Sequence, residues 1–413
     1  MAGNEQGVAW RRHEDERWIV GDPGRQHEMV PYPAEIAPGR PDTTIDGARL
    51  GGITYRAVSL RGPSHWAKRE PRQDAYLLRI SANGQWLVGC VADGVSQPKY
   101  SHMAADLACR EITRHITAAL NDQPAITAPD DWPKLAGELP WQQAVDEASA
   151  AMIAKASTGA RDPKQAGALD AHTVRATMAT TAVAFAVAVS PAEDGQLPYS
   201  LVVAAGDSSA LILARGHWRP VTAVKNAGAD MPSNAVRALP REVQVTPVSG
   251  YLQPGEALVV VTDGIGDPMG TGAGEVGQFL AARWSRPPDL FAFATHAAFY
   301  RRGFTDDRTA VAVWHESGAE CPDPAATAGA VSESGAVSET GALSETGAVG
   351  ETGESNPADE TGEVSEVAAD EAGDDGRADE DDTGPAAGHA VRVAAGDSHD
   401  QDFHWFGDEG NGD

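Results

Sequence analysis

Between Gly51 and His315 the apolar residues gather in short runs: Ile53–Leu60, Ala75–Ile80, Trp86–Val91, Thr181–Val189, Tyr199–Ala205, Ala210–Ala214, Ala257–Thr262 and Thr309–Trp314. Their length and their wealth of β-branched and aromatic residues predict strands. Helical spacing appears in Ser101–Leu120 and Trp141–Ala156, and again near Asp289–Arg301. Strand runs punctuated by helices, with no βαβ alternation, predict an α+β domain built on antiparallel sheets. Residues 1–50 mix Pro, Gly and charge without a sustained period and are read as an N-terminal extension that precedes or wraps this domain of residues 51–315.

The pattern collapses after His315. The hexads GAVSES, GAVSET, GALSET and GAVGET begin at Gly329, Gly335, Gly341 and Gly347, too short and polar to stack as a solenoid. Between Glu316 and Asp402 the large apolar residues are seven Val and one Leu, so burial cannot offset the entropy of ordering. Residues 316–413 are therefore predicted to be a disordered acidic tail. Its end, Asp402-Phe403-His404-Trp405-Phe406, sets three aromatics in an acidic context and reads as a short docking peptide for a partner.

The tail also explains the charge. It holds 26 acidic residues against Arg377 and Arg392, which is 24 of the 28 net negative charges and leaves 4 for residues 1–315. Without a basic footprint the chain is not read as a nucleic-acid binder. The longest apolar run, Ala182–Val189, falls far short of the ~18 residues of a membrane span, so no membrane role is expected. The N-terminus lacks an apolar leader, and Cys90, Cys109 and Cys321 form no C-x-x-C pair, which points to the reducing cytoplasm, without a disulfide framework or zinc site.

Candidate chemistry starts at a hairpin. Asn83-Gly84 is a pair favoured in two-residue type I′ turns. With Ala82 opposite Gln85, the register sets Asp74 opposite Asp93, at a Cβ separation of about 4.5–5.5 Å where like charges repel. A bound cation is the simplest remedy. Asp263 leaves the run Ala257–Thr262, whereas Asp306 and Asp307 lead into Thr309–Trp314, so antiparallel pairing of those strands brings these acids together. Oxygen donors alone suit magnesium or manganese rather than zinc or copper. Two such ions can activate a water and clamp a phosphoryl group. The G-x-G-x-x-G at Gly272–Gly277 does not follow directly on a strand and sits in no βαβ unit, so it is read as a loop near the cleft, not a dinucleotide site.

Taken in order, these pieces resemble the metal-dependent Ser/Thr protein phosphatases of the 2C type, over about Ile53–Trp314. The matching elements are Arg69-Glu70-Pro71-Arg72-Gln73-Asp74, Ala92-Asp93-Gly94-Val95, Met178-Ala179-Thr180-Thr181, Gly206-Asp207-Ser208, Thr262-Asp263-Gly264 and Asp306-Asp307-Arg308-Thr309; the spelling Gly62-Pro63-Ser64-His65 is similar to a bacterial branch. The resemblance implies a four-layer αββα sandwich, two antiparallel sheets flanked by helices, with two or three Mn2+ or Mg2+ ions in a cleft at one end. It implies that Asp93 bridges two ions, that Asp263 and Asp306 complete the first shell, that Asp74 and the Gly94 carbonyl serve the second, and that Asp207 serves a looser third. Asp93, Asp263 and Asp306 would then be the catalytic carboxylates, and Arg69 the phosphate-binding arginine, with Arg61 and Arg72 as rivals; a guanidinium fork suits phosphate oxygens.

The implied activity is hydrolysis of phospho-Ser/Thr in protein substrates of Ser/Thr kinases, by a metal-activated water without a phosphoenzyme, in signalling. The alternative is a phosphatase-like binding or regulatory module with little turnover. The spelling departs from the family at Gln73, Ala179 and Ser209, and at Val95, where some members carry a proposed acid, His. A water, His65 or His102 would have to protonate the leaving alkoxide instead.

Overall fold

The computed structural model describes residues 3–5, 8–14, 16–34, 40–96, 98–159, 169–222 and 238–316. The hexads, the acidic tail and the aromatic segment Phe403–Phe406 lie outside the described residues. So does the whole of a second unit, Cys321–Gln401.

The strands are β1 Gly3–Glu5, β2 Val8–Arg12, β3 Trp18–Val20, β4 Thr43–Leu50, β5 Ile53–Leu60, β6 Ala75–Ile80, β7 Trp86–Ala92, β8 Ala182–Ala188, β9 Leu197–Ala205, β10 Ser209–Ala214, β11 His217–Pro220, β12 Val248–Leu252, β13 Ala257–Val261 and β14 Arg308–His315. The helices are α1 Pro63–Lys68, α2 Ser101–Leu120, α3 Trp132–Glu138, α4 Trp141–Gly159, α5 Ala171–Arg175, α6 Asp263–Met269, α7 Glu275–Trp284 and α8 Leu290–Ala297. One antiparallel sheet runs β11-β10-β13-β14-β5-β4 and the other β12-β9-β8-β7-β6.

Period-two alternation explains the layering. Ala210, Ile212, Leu258, Val260, Val311 and Val313 join the core shared with the second sheet. Their neighbours Leu211, Leu213, Val259, Val261, Ala312 and Trp314 pack instead with Phe279, Trp284 and Phe293 of α7 and α8. On the far side α2 and α4 cover the second sheet, whose strands β7 and β8 are buried throughout. The result is the expected αββα order. Among the described residues no helix is long and apolar enough to cross a membrane.

The first fifty residues do more than precede the domain. Strand β4 pairs with β5 along its whole length and forms the sheet edge. Strands β1–β3 make a small sheet of their own, from which Trp10 and Trp18 set their rings 5.7 and 5.4 Å from Phe279 of α7. Arg12 and Arg283 stack on Trp18 at 4.3 and 4.5 Å.

The β6–β7 register is the one expected, Ala75 facing Ala92 and Ile80 facing Leu87. The turn differs. Only Gly84 has positive φ, and the loop closes with Gly84 N–H on Ser81 O at 2.8 Å and Ser81 N–H on Trp86 O at 3.0 Å. Asn83 accepts from the Ser81 hydroxyl at 2.6 Å and donates to Gln123 O at 2.5 Å, so its side chain organises a wider loop without a left-handed backbone. The G-x-G-x-x-G segment packs on β11: a Cβ at Gly272 would lie 2.5 Å from the Trp218 ring, and Trp218 Nε1 donates to Gly277 O at 2.7 Å.

Candidate active site

Four chain segments end at one edge of the sandwich, and each ends in an aspartate. Asp74 and Asp93 follow the last hairpin pair, Ala75 and Ala92. Asp263 opens α6 just beyond the N-cap Thr262, which follows β13, and Asp306 stands two residues before β14, the antiparallel neighbour of β13. A fifth, Asp207, sits in the turn between β9 and β10. Gly206 makes that turn possible: its φ is +86°, and a Cβ there would lie 2.2 Å from Thr181 Cγ2. Gly94 is constrained likewise, since a Cβ would lie 2.7 Å from the Gln73 carbonyl oxygen.

Asp93, Asp207 and Asp263 offer carboxylate oxygens within 4.8 Å of one another, and His65, Asp306 and Asp307 form a second group at the same limit. The resemblance reserved Asp207 for a separate ion; here it shares the tight cluster with Asp93 and Asp263. Asp74 and Asp306 stand just outside it but within electrostatic reach. Burial, then the charges of Asp263, Asp74, Asp306 and Asp207, push the Asp93 carboxyl well above the usual range. Burial and Asp307 do the same to Asp74, with Asp306 and Asp263 adding to the rise. Asp306 is raised by burial and by Asp307, against a lowering from His65. A set of oxygen donors held together against this repulsion lacks only positive charge, and it fits a hard divalent cation.

Thr262 and Asp307, both seen in the sequence but given no ligand role there, hold this arrangement. Thr262, fully buried, donates its hydroxyl to Asp74 Oδ2 at 2.7 Å and accepts from Thr309 N–H at 3.0 Å, tying the hairpin of one sheet to the β13–β14 pair of the other. The Thr262 hydrogen bond works against the rise in Asp74 and favours its ionised form. Asp307 accepts from the backbone N–H groups of Gly62 at 2.6 Å and of Gln73, and its Oδ1 lies 2.7 Å from His65 Nδ1. It organises the loop rather than facing the cleft. A doubled aspartate and a threonine before Asp263 were visible in the sequence, but their partners lie across the sandwich.

The three arginines separate. Arg61 has a fully enclosed side chain and donates to Tyr32 O at 2.8 Å, Asp42 Oδ1 at 3.2 Å and His65 O at 2.9 Å. Arg72 donates to Thr44 Oγ1 at 2.6 Å and Ser59 O at 2.8 Å, and burial, with Arg40 nearby, lowers its pKa to about 10. Both guanidiniums are buried and bound by protein acceptors. Arg69 caps the C-terminus of α1 in the left-handed conformation, φ +57° and ψ +23°, with its guanidinium carbon 5.1 Å from the Tyr32 ring centre. His102, in the first turn of α2, has its pKa pushed down to about 4 by burial and by Arg40.

Residues 61–289, more than half of the chain, match the model of a family described as protein phosphatase 2C. No curated protein matches the chain. Among solved structures it is similar to the serine/threonine phosphatase PstP/Ppp of Mycobacterium tuberculosis, at 18% identity over 64% of this chain and 99% of that one, with a TM-score of 0.40. PppA, a key regulatory component of T6SS in Pseudomonas aeruginosa, is 17% identical over 64% of this chain and 98% of its own, with a TM-score of 0.40. A phosphatase from Toxoplasma gondii is 13% identical over 66% of this chain and 96% of its own, with a TM-score of 0.44.

Proposed function

The chain belongs to the protein phosphatase 2C family, and we propose that it releases phosphate from phosphoserine and phosphothreonine of kinase substrates, as a cytoplasmic enzyme with Mn2+ or Mg2+ as cofactor. The observation that carries this reading is the cluster of Asp93, Asp207 and Asp263 within 4.8 Å, backed by Asp74 and Asp306. In this reading these five carboxylates and the Gly94 carbonyl hold two or three ions. Bound there, such ions lower the pKa of a water and neutralise charge on the transferring phosphoryl group. A module that only binds phosphoprotein has no use for acids kept so close against their own repulsion.

The remaining steps belong to the protein. Thr262 favours the ionised form of Asp74, which is the form that binds a cation. Arg69 orients the substrate phosphate; a left-handed cap ordinarily goes to Gly or Asn, so a long cationic side chain at this strained position points to a task for the guanidinium. The two described cysteines, Cys90 and Cys109, are buried in the core, so neither is placed to reach a substrate phosphate. In this reading a water attacks the phosphoryl group and no phosphoenzyme forms. His65 is enclosed and its Nδ1 is occupied by Asp307, which leaves solvent as the proton source for the alkoxide.

The test is phosphate release from a phosphothreonine peptide by the native chain, Asp93→Asn and Asp263→Asn, with folding checked by circular dichroism. Both substitutions are expected to abolish turnover without unfolding the protein. Native-like turnover by either folded variant removes that carboxylate from the site.

A further inference from the structure

The proposed phosphate-binding arginine does not stand alone, and its companion comes from the N-terminal arm. Tyr32 lies in Val30-Pro31-Tyr32-Pro33, where Pro31 fixes its own φ and Pro33 holds Tyr32 extended. Its N–H donates to Val30 O at 3.0 Å, and its carbonyl accepts from Arg61 at 2.8 Å. The same Arg61 guanidinium donates at 2.9 Å to the carbonyl of His65, in the helix that Arg69 caps. The Arg69 N–H returns to Trp66 O at 3.2 Å. One enclosed arginine thus fixes both the arm that carries the Tyr32 ring and the helix end that carries Arg69. Tyr32 is 42% exposed, so it is not there to fill a core. The Arg69 guanidinium carbon lies 5.1 Å from the ring centre, inside the range of cation–π attraction.

We propose that Tyr32 is a positioning residue for Arg69: its ring face helps to hold the guanidinium ready for phosphate, so that part of the cost of ordering this long side chain is met before the ligand arrives. The inference rests on Arg69 being the phosphate-binding group. The N-terminal arm then takes part in substrate affinity without touching the reacting atoms.

The test is steady-state kinetics on a phosphothreonine peptide and on p-nitrophenyl phosphate for the full chain and for Tyr32→Ala, Tyr32→Phe, Tyr32→Leu, Arg69→Ala and the Tyr32→Ala/Arg69→Ala double variant. Tyr32→Ala is expected to raise KM about two- to five-fold, the range of an exposed cation–π contact, with kcat unchanged. Tyr32→Phe should keep the native KM, whereas Tyr32→Leu, which fills the space without a π face, should not. Should Tyr32→Ala fail to fold, the Phe and Leu variants carry the comparison. In the Arg69→Ala background Tyr32→Ala should add nothing. Native KM for Tyr32→Ala and Tyr32→Leu, or an equal rise with and without Arg69, overturns the positioning role while leaving the phosphate role of Arg69 intact. Native KM for Arg69→Ala removes the phosphate role, and the Tyr32 inference falls with it.

Discussion

Replacing Asp93 by Asn should make the metal-free protein more stable and the metal-loaded protein less stable than the native chain. Asp93 shares a space of 4.8 Å with Asp207 and Asp263 and also feels Asp74 and Asp306. Two unit charges at that separation repel by about 3 kcal/mol at an effective dielectric constant near 20. Proton uptake by the raised carboxyls and counterions relieve most of this, so a net gain of about 1–3 kcal/mol is expected when one charge becomes a neutral amide of the same shape. Cations reverse the order. An ion that binds only the folded state adds about 2.7 kcal/mol at a hundredfold excess over its Kd, and the variant should lose most of that gain. The assay is urea unfolding at pH 7.5 of both proteins, in chelator and in millimolar MnCl2. Crossing stabilities support the cluster as a cation site. A variant that is less stable in chelator, or that gains as much from manganese as the native chain, refutes the reasoning.

Further expectations concern residues around the site and the arm. Arg69→Gly should relieve the left-handed cap and gain up to about 1 kcal/mol over Arg69→Ala in urea unfolding, while both raise KM on the phosphopeptide. Thr262→Val leaves Thr309 N–H without its acceptor and Asp74 without its donor, so unfolding free energy should fall by about 1–3 kcal/mol, and the manganese needed for half-maximal activity should rise. Burial, with Arg283 and Arg12, lowers the His296 pKa to about 4. The unfolded chain therefore takes up that proton first, and stability should fall as pH drops from about 6.5 towards 4, by up to about 3 kcal/mol. Urea midpoints from pH 7.5 to 4.5 should show this slope in the native chain and a shallower one in His296→Phe.

What the sequence made legible was what local periodicity controls. Seven of the eight strand runs, β5, β7–β10, β13 and β14, were readable because they are largely buried, β6 was readable from its apolar run although only Ala75 in it is buried, and the Ala75–Ala92 pair beside Asp74 and Asp93 followed from counting along a hairpin even though its turn type was different. The edge strands β4 and β12 were harder: they are half exposed and carry polar and glycine residues where a central strand carries Val or Ile. Helix α6 was hidden by Gly264, Gly266 and Pro268, poor helix formers tolerated because Gly264 must pass close to Asp307: a Cβ there would lie 1.9 Å from its carbonyl oxygen. The arm had no period to read, since Trp10 and Trp18 pack on a helix more than two hundred and fifty residues away in the chain. In the site itself, the acids at strand ends were visible one by one. The proximity of Asp207 to Asp93 and Asp263, and the Thr262–Asp74 link, depend on how two sheets meet and have no local signature.

The central claim, a metal-dependent phosphoserine/phosphothreonine phosphatase, is tested most directly by measuring inorganic phosphate released from phosphoserine and phosphothreonine peptides by the full chain, as a function of added MnCl2 and MgCl2 and in chelator. Turnover that rises with either metal and vanishes in chelator is the predicted result. Undiminished turnover in chelator, or none under either metal with a folded protein, would contradict it.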